Sequence, residues 1–245
     1  MRYYLNSADK LDPVEFAARS KAVCDAYQQA GELHKQGTHT ASVDEKTGIQ
    51  ALERDAPTLP MRPGKVERQE YNYDRHGTLC LTANLEVATG QIMAPTIGLT
   101  RGEQDFAGHI ERTIASDASA TWIFVADQLN THQSEALVRL VVEHCGIETD
   151  LGVKGESGIL KSMRTRRAFL EDTTHRIRFL YTPRHASWLN QVEIWFSILV
   201  RRLLKRASFQ SLEQLRERLL AFIEYFNRTL AKPFQWTYKG KVLAG

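Results

Sequence analysis

The sequence has little cysteine, no long apolar run and no leader-like start. The three cysteines, Cys24, Cys80 and Cys145, are far apart, so they form no paired metal motif or disulfide framework, and a reducing compartment is expected. No apolar run approaches the roughly 20 residues that span a bilayer. The opening MRYYLNSADKLD lacks the charged-then-apolar pattern of a signal peptide. These absences predict a soluble, cytoplasmic protein.

The composition also lacks any strong bias. Apolar residues make up 42% and charged residues 25% of the chain, which excludes disordered, collagen-like and coiled-coil proteins. The net charge of +3 is only a weak indication of an anionic partner, so the distribution of charge matters more than the sum. A chain of 245 residues is long enough to bury a substantial core as one large domain or two small ones.

The first third of the chain divides into a helical start, a strand and a loop. Residues 1–36 are polar and carry a helical pattern over 13–29, so they are interpreted as a leading helical or linker segment. THTASVDEKTG predicts a strand that ends near Asp44. Residues 46–66 contain three prolines and Gly64 among mixed charges, and a long loop is expected there.

The remaining pattern predicts a mixed sheet with helices on both faces. Strand signals lie at residues 66–73, 78–87, 91–97, 121–127 and 176–181. Helical periodicity covers residues 103–114, 134–145, the segment from 187 onward, and 212–228. The closely spaced early strands favour antiparallel hairpins, and the later alternation of strand and helix completes an α/β order.

Asp127 ends the apolar segment TWIFVAD, which is typical of a central strand covered on both faces. Open α/β sheets bind ligands at the carboxyl ends of such strands. The alternative is an aspartate that caps the following helix, where aspartate is common. Asp127 taken alone does not decide between them.

Asp44 follows the apolar ASV in a similar way, although a strand-end turn residue would also fit this position. Its neighbour Glu45 should point to the opposite side of an extended chain. Only one of these two acids is therefore expected to face a site.

Glu193 is the only charge in SWLNQVEIWFSILV. On one helix it would share a narrow polar stripe with Asn190, Ser197, Arg201 and Lys205. The opposing apolar face would carry Trp188, Val192, Trp195, Leu199 and Val200. This arrangement favours an inward-facing acid, and a plain amphipathic helix would give the same pattern.

Three carboxylates that converge would raise one another's pKa unless cations neutralise them. Phosphodiester chemistry uses such a set, because two metal ions about 3.5–4 Å apart activate the attacking oxygen and stabilise the leaving one. Hard ions such as Mg²⁺ prefer carboxylate and water oxygens. The ordered acids therefore predict a divalent metal site if the fold brings them together.

Four segments resemble the mariner-like group of bacterial insertion-sequence elements among the DDE-type transposases. SVDEKTG (42–48), VADQLNTH (125–132) and SWLNQVEIWFS (187–197) are similar to its three acid motifs, in order. YFNRTLAKPFQWTYKG (225–240) is similar to its C-terminal end. The resemblance covers roughly residues 37–242.

This resemblance implies an α/β, ribonuclease-H-like catalytic domain over 37–245, with a mixed five-stranded sheet flanked by helices. It implies that Asp44, Asp127 and Glu193 are catalytic and hold two Mg²⁺ ions, with Mn²⁺ as a substitute. Asn130, His132 and Asn190 would support ligands or phosphate, although His132 could instead start a helix and bond to backbone. The implied reaction is cleavage of double-stranded DNA at transposon ends and strand transfer into a TA-type target, by a homodimer in a bacterial, nucleoid-associated setting.

The sequence departs from this group in three respects. The interval between Asp127 and Glu193 is longer than usual, so residues 146–175 are interpreted as an insertion. Gln128 stands where the group more often has asparagine. No helix-turn-helix pattern precedes the acids, so a fragment, or end recognition by something else, is expected.

Two basic clusters suit contacts to DNA phosphates, with a solvated surface as the alternative. Residues 151–184 hold three acids and eight basic residues: Lys154, Lys161, Arg164, Arg166, Arg167, Arg176, Arg178 and Arg184. The second cluster is Arg201, Arg202, Lys205 and Arg206. Two rival functions stay open: a ribonuclease-H-like nuclease without strand transfer, and a catalytically silent DNA-binding remnant.

Overall fold

A computed structural model describes residues 13–68, 70–205 and 207–238. The strands are β1 (Thr38–Arg54), β2 (Tyr73–Glu86), β3 (Ile92–Gly98), β4 (Thr121–Ala126) and β5 (Ile177–Tyr181). The helices are α1 (Pro13–Lys35), α2 (Glu103–Ala115), α3 (Glu135–Cys145), α4 (Met163–Leu170), α5 (Val192–Leu199) and α6 (Leu212–Thr229). Within these described ranges, no helix combines the length and apolar character needed to cross a membrane.

The five strands form one mixed sheet in the order β3-β2-β1-β4-β5. β1 and β2, and β2 and β3, pair antiparallel, whereas β4 lies parallel to both β1 and β5. The predicted five-stranded mixed sheet is confirmed. Because β1, β4 and β5 are parallel, the carboxyl ends of β4 and β5 lie at the same edge of the sheet, and β1 continues past that edge to Arg54.

Helices cover both faces of this sheet, which explains why β4 is an unbroken apolar run. On one face, α2 and α3 pack against Trp122, Phe124 and Phe179. On the other face, α5 and α6 form a second core around Trp195 and Phe226. α1 adds a third cluster with β4 and the segment before α5, so this helix is packed against the sheet.

β1 is longer than predicted, and the expected strand end near Asp44 was wrong. β1 pairs with β2 from Ala41 opposite Glu86 as far as Arg54 opposite Tyr73, with register shifts on either side of the pair Ile49–Leu79. Residues 46–54, expected to be loop, are therefore strand. Their mixed composition hid this, because only Ile49 and Ala51 among them are buried and the strand is completed by pairing with β2.

The strand predicted at 66–73 was also wrong. Val66 and Tyr71 are exposed, and β2 begins only at Tyr73. Among the described residues before β2, Arg68 forms only an isolated bridge to Leu59. Loose alternation without a paired neighbour does not make a strand.

The segment from Ser187 is not the single helix that was predicted. A 3₁₀ turn (Ser187–Leu189), α5 and a π-helical turn (Val200–Leu204) follow one another. The predicted polar stripe loses its first member, because Asn190 is buried and precedes α5, whereas Ser197, Arg201 and Lys205 are exposed. Trp188, expected on the buried face, is 50% exposed because it precedes α5.

Candidate active site

The pairing of β1 with β4 brings Asp44 and Asp127 together. The last parallel pair that joins these strands is Ser42 opposite Val125. Asp44 and Asp127 each lie two residues beyond that pair, and adjacent strands are about 4.8 Å apart. The two acids therefore stand side by side at the carboxyl edge of the sheet, as the resemblance implied.

Glu193, in the first turn of α5, comes close to the same point. Burial is the largest cause of the raised pKa of Asp44, and the charge of Asp127 is the next. Glu193 contributes less, and together they raise the pKa of Asp44 to about 7. Asp44 is only 8% exposed, so little water is available to screen this repulsion. The fold thus brings these acids together, with Asp44 buried and Asp127 and Glu193 partly exposed.

Asn190 connects Asp44 to the segment that leads into α5. Its side-chain amide donates to the backbone carbonyl of Val43 at 2.9 Å and to Asp44 Oδ2 at 3.3 Å. Its own carbonyl oxygen accepts from the Ser42 hydroxyl, which in turn accepts the backbone N–H of Val192 at 2.9 Å. This buried network positions the start of α5, and with it Glu193, against β1.

His132 is fully buried between two carboxylates. Its Nδ1 lies 2.6 Å from Asp127 Oδ1, and its Nε2 lies 3.0 Å from Glu45 Oε2. Burial alone would lower the pKa of His132, but the bonds to Asp127 and Glu45 outweigh it and raise the pKa to about 10. Both ring nitrogens therefore act as donors, as in an imidazolium. Burial by itself would raise the pKa of Asp127, but the hydrogen bond from His132 holds it below its usual value.

Glu45 is the site residue that sequence reasoning missed. The expectation that only one acid of the pair would face the site was wrong, since the ligand atoms of Asp44, Glu45 and His132 lie within 4.8 Å of one another. Glu45 reaches the site through His132, a residue 87 positions away. The adjacency of the two acids was visible in the sequence and the resemblance pointed to His132, but the contact between His132 and Glu45 was not predicted.

The other predicted supporting residues take different places. Asn130 is exposed in the 3₁₀ turn (Asn130–Gln133) that follows Asp127. His132 belongs to the same turn and bonds to side chains of the site, beyond the backbone contact that was the alternative. Arg101, not singled out from the sequence, is exposed, and its charge contributes to lowering the pKa of Asp127.

The first basic cluster divides into exposed and engaged side chains. Lys161, Arg164 and Arg184 are exposed. Arg166 donates to the backbone carbonyls of Gln133 and Leu160, and so holds the loop ahead of α4.

Other members of this cluster also have protein partners. Arg167 donates to the Gln128 side chain at 3.1 Å. Arg176 donates to two backbone carbonyls, and Arg178 is half-buried on β5. Lys154 is exposed and lies 3.5–3.6 Å from two glutamates. Lys154, Arg167 and Arg176 therefore contact other groups of the protein itself.

The second basic cluster lies on and after the π-helical turn. Arg201, Arg202 and Lys205 are exposed, and Arg206 falls outside the described residues. Arg201 and Arg202 line a cavity of about 500 Å³ whose apolar lining includes Phe226 and Phe234.

Replacement of Asp44 by asparagine should stabilise the metal-free protein. At pH 8 the wild-type carboxylate is charged in both the folded and the unfolded chain, and only in the folded chain is it buried and placed near Asp127 and Glu193. The new side-chain amide would keep one acceptor for the Glu45 N–H, but its NH₂ group would face the Asn190 amide, which reduces the gain. We expect about 1–3 kcal/mol of added stability.

Urea denaturation in EDTA measures this gain. Addition of Mg²⁺ should stabilise the wild type and leave Asp44→Asn nearly unchanged. A variant that is less stable than the wild type in EDTA would show that repulsion at this point is minor.

Comparisons with known proteins agree with this geometry. Residues 39–216 match the family model described as DDE superfamily endonuclease, and no curated protein matches the chain. Similar solved structures include a pre-cleavage Mos1 transpososome (14% identity, 91% of this chain, 57% of that chain, TM-score 0.53). The Mos1 mariner paired end complex with Mn is another (15% identity, 91% of this chain, 56% of that chain, TM-score 0.52).

A third match is the Mos1 transposase catalytic domain with Raltegravir and Mn (11% identity, 91% of this chain, 85% of that chain, TM-score 0.51). The chain spans a little over half of the Mos1 chains in the two larger complexes. At such low identity these structures bear on the fold, which is ribonuclease-H-like. The family model extends over most of the chain and includes all three acids, so the chain belongs to the DDE superfamily of endonucleases.

Proposed function

We propose that the chain is the catalytic domain of a transposase that cleaves DNA at transposon ends and transfers the strand into target DNA. The observation that carries this proposal is the convergence of Asp44, Asp127 and Glu193 at one edge of the sheet, with the pKa of Asp44 raised to about 7. So much negative charge in a buried place is costly to the fold and useful to metal-dependent phosphodiester chemistry.

The donor set fits two divalent cations, with Mg²⁺ as the natural ion and Mn²⁺ as a substitute. Asp44, Asp127 and Glu193 would hold them, because carboxylates are the oxygen ligands that these ions take in proteins. When bound, the ions would lower the pKa of water and neutralise charge on the phosphodiester. Two of the similar Mos1 structures are complexes with Mn, which supports a divalent ion at this site.

The chain's own residues orient this chemistry. Asn190 holds the Asp44 carboxylate, and His132 holds the Asp127 carboxylate through a bond that Glu45 reinforces from the far side of the ring. In the proposed reaction, water attacks the phosphodiester at the element end and releases a 3′-hydroxyl. That hydroxyl then attacks a phosphodiester of the target, at a TA-type site, and displaces a new 3′-oxygen.

DNA would cross exposed basic side chains, of which Arg101 is near enough to Asp127 to help lower its pKa. Arg101, Lys161, Arg164 and Arg184 suit phosphate contacts because they are exposed. The exposed members of the second cluster, Arg201, Arg202 and Lys205, could extend this track along the chain after α5. One similar Mos1 structure is a paired-end complex with the left transposon end, which supports double-stranded DNA as the partner.

A single charge removal should weaken DNA binding uniformly across sequences. For Lys161→Ala or Arg164→Ala we expect a Kd about threefold to tenfold higher at moderate salt. The slope of log K against log salt should fall by about 1, because one phosphate contact is lost. Fluorescence anisotropy over a salt series measures both, with Arg139→Ala as control, since Arg139 on α3 is paired with Glu135. If Arg139→Ala changes the Kd and the salt slope equally, DNA binding is not specific to Lys161 and Arg164.

We further propose that residues 37–245 act as one catalytic domain with an insertion at 146–175, and that the active assembly is a homodimer on paired ends. The grouping with bacterial insertion-sequence elements belongs to the same proposal and rests on the motifs around the three acids. Residues 1–36 would be a leading segment of this domain, whose helix α1 packs against the sheet.

The test incubates the chain with DNA that carries transposon-end sequences, plus Mg²⁺ or Mn²⁺, and resolves cut and joined products. Cut ends followed by joined products support the proposal. Cut ends without joined products would replace it with a nuclease that lacks strand transfer. DNA binding with neither product would identify a catalytically silent remnant.

A further inference from the structure

A second cluster of possible metal ligands lies toward the opposite end of β1 from the three acids. It consists of His34 near the end of α1, His39 early in β1, and Glu86 at the end of β2. His39 precedes Asp44 by five residues, which is about 16 Å along a strand. The two clusters are therefore separate sites.

The spacing of the ligand atoms suits one small cation. Glu86 Oε2 lies 2.7 Å from His39 Nδ1, and Glu86 Oε1 lies 3.6 Å from His34 Nδ1. One ligand atom from each of the three residues lies within 4.8 Å of the other two. Ligands bound tetrahedrally to zinc at about 2.0–2.1 Å are separated by about 3.3 Å, a value between the two Glu86–histidine separations.

Two buried polar atoms in this cluster lack a hydrogen-bond partner among the described residues. They are Oε1 of Glu86, a residue that is only 1% exposed, and Nδ1 of His34. A buried carboxylate oxygen without a donor costs free energy, and a cation between these two atoms would remove that cost. Burial raises the pKa of Glu86 even though the bond to His39 opposes it, so one histidine compensates the carboxylate incompletely.

The surroundings of His39 resemble those of a metal-bound histidine. Its second nitrogen, Nε2, lies 3.4 Å from Asp117 Oδ2, and its ring stacks on Trp122 at 4.3 Å. Metal-bound histidines commonly donate the outer N–H to a carboxylate, which leaves the lone pair of the inner nitrogen for the ion. Here the inner nitrogen is Nδ1, which faces Glu86.

We propose that His34, His39 and Glu86 bind a zinc ion that fastens the end of α1 to the sheet. Two imidazoles and one carboxylate favour zinc over magnesium, which prefers an all-oxygen octahedron. Three protein ligands leave one position for water, which can enter because His34 is partly exposed. The ion would hold the turn between α1 and β1.

The test is zinc binding by the whole chain in excess Mg²⁺, which occupies carboxylate sites. Competition with a chromogenic chelator gives the affinity, and elemental analysis after gel filtration gives the stoichiometry. His34→Ala removes one ligand at a partly exposed position. His76→Ala is the matched control, because His76 is also bonded to a glutamate, Glu53, at 2.8 Å.

We expect one zinc in the wild type, in His76→Ala and in Asp127→Asn, and binding at least about 100-fold weaker in His34→Ala. Co²⁺ in the wild type should give the strong visible absorption of a four- or five-coordinate site. Equal zinc affinity in wild type and His34→Ala would overturn the proposal. A weak Co²⁺ spectrum of the octahedral type in the wild type would also overturn the proposal, and this measurement requires no variant.

Discussion

Asp127→Asn should lower DNA cleavage by at least about 10³-fold while the protein stays folded. The substitution removes one negative charge from the point where Asp44 and Asp127 meet and keeps the size of the side chain. The substituted amide oxygen can still accept from the Leu129 backbone N–H, which Asp127 accepts at 3.0 Å. On the proposed function, a charge that would bind metal is lost with little change in packing, and transition-state stabilisation of about 4 kcal/mol corresponds to a factor of 10³.

Cleavage of end-bearing DNA, followed over time at saturating Mg²⁺, measures this loss, with the thermal midpoint as the check on folding. We expect a similar loss of DNA cleavage in Glu193→Gln, because the hydrogen-bond network of Ser42 and Asn190 positions Glu193 against β1. Asp74→Asn is the matched control, because Asp74 is an exposed aspartate on β2, and we expect near-normal rates for it. Cleavage within tenfold of wild type in folded Asp127→Asn would exclude Asp127 from the catalytic set.

His132→Ala should destabilise the fold by about 3–5 kcal/mol, the cost of leaving one member of a buried ion pair without its partner. The carboxylate of Glu45 is only 3% exposed and would lose the imidazolium that bonds to it. The same change releases Asp127, so cleavage should fall as well. Urea denaturation measures the free energy of unfolding, and the cleavage assay measures the second effect.

His76→Ala provides the contrast, because its bond to Glu53 is near the surface and each side chain is about one-third exposed. An exposed pair of this kind is worth less than about 1 kcal/mol. The double variant Glu45→Gln/His132→Gln should recover much of the stability, because no buried charge is left unpaired, while cleavage stays low. If His132→Ala costs no more than His76→Ala, then His132 does not neutralise Glu45.

Two of the three acids proposed to be catalytic stand out in the sequence for a local reason. Asp127 ends an apolar strand, and Glu193 is the one charge in an apolar segment, so each stands out against its neighbours. The mixed sheet followed from periodicities that are properties of short windows. Asp44 depended more on its motif, and the structure shows why, since β1 continues to Arg54 and no strand end marks the residue.

Only the tertiary structure decided how these residues are held. The length of β1 depends on β2, the roles of Glu45 and His132 depend on a contact across 87 residues, and the division of the basic cluster depends on which carbonyls lie nearby. The sequence by itself determined the kinds of strand and helix and the acids at their ends, because burial patterns are local. It did not determine the buried charge network at that edge, because hydrogen bonds between distant segments leave no periodic trace in the chain.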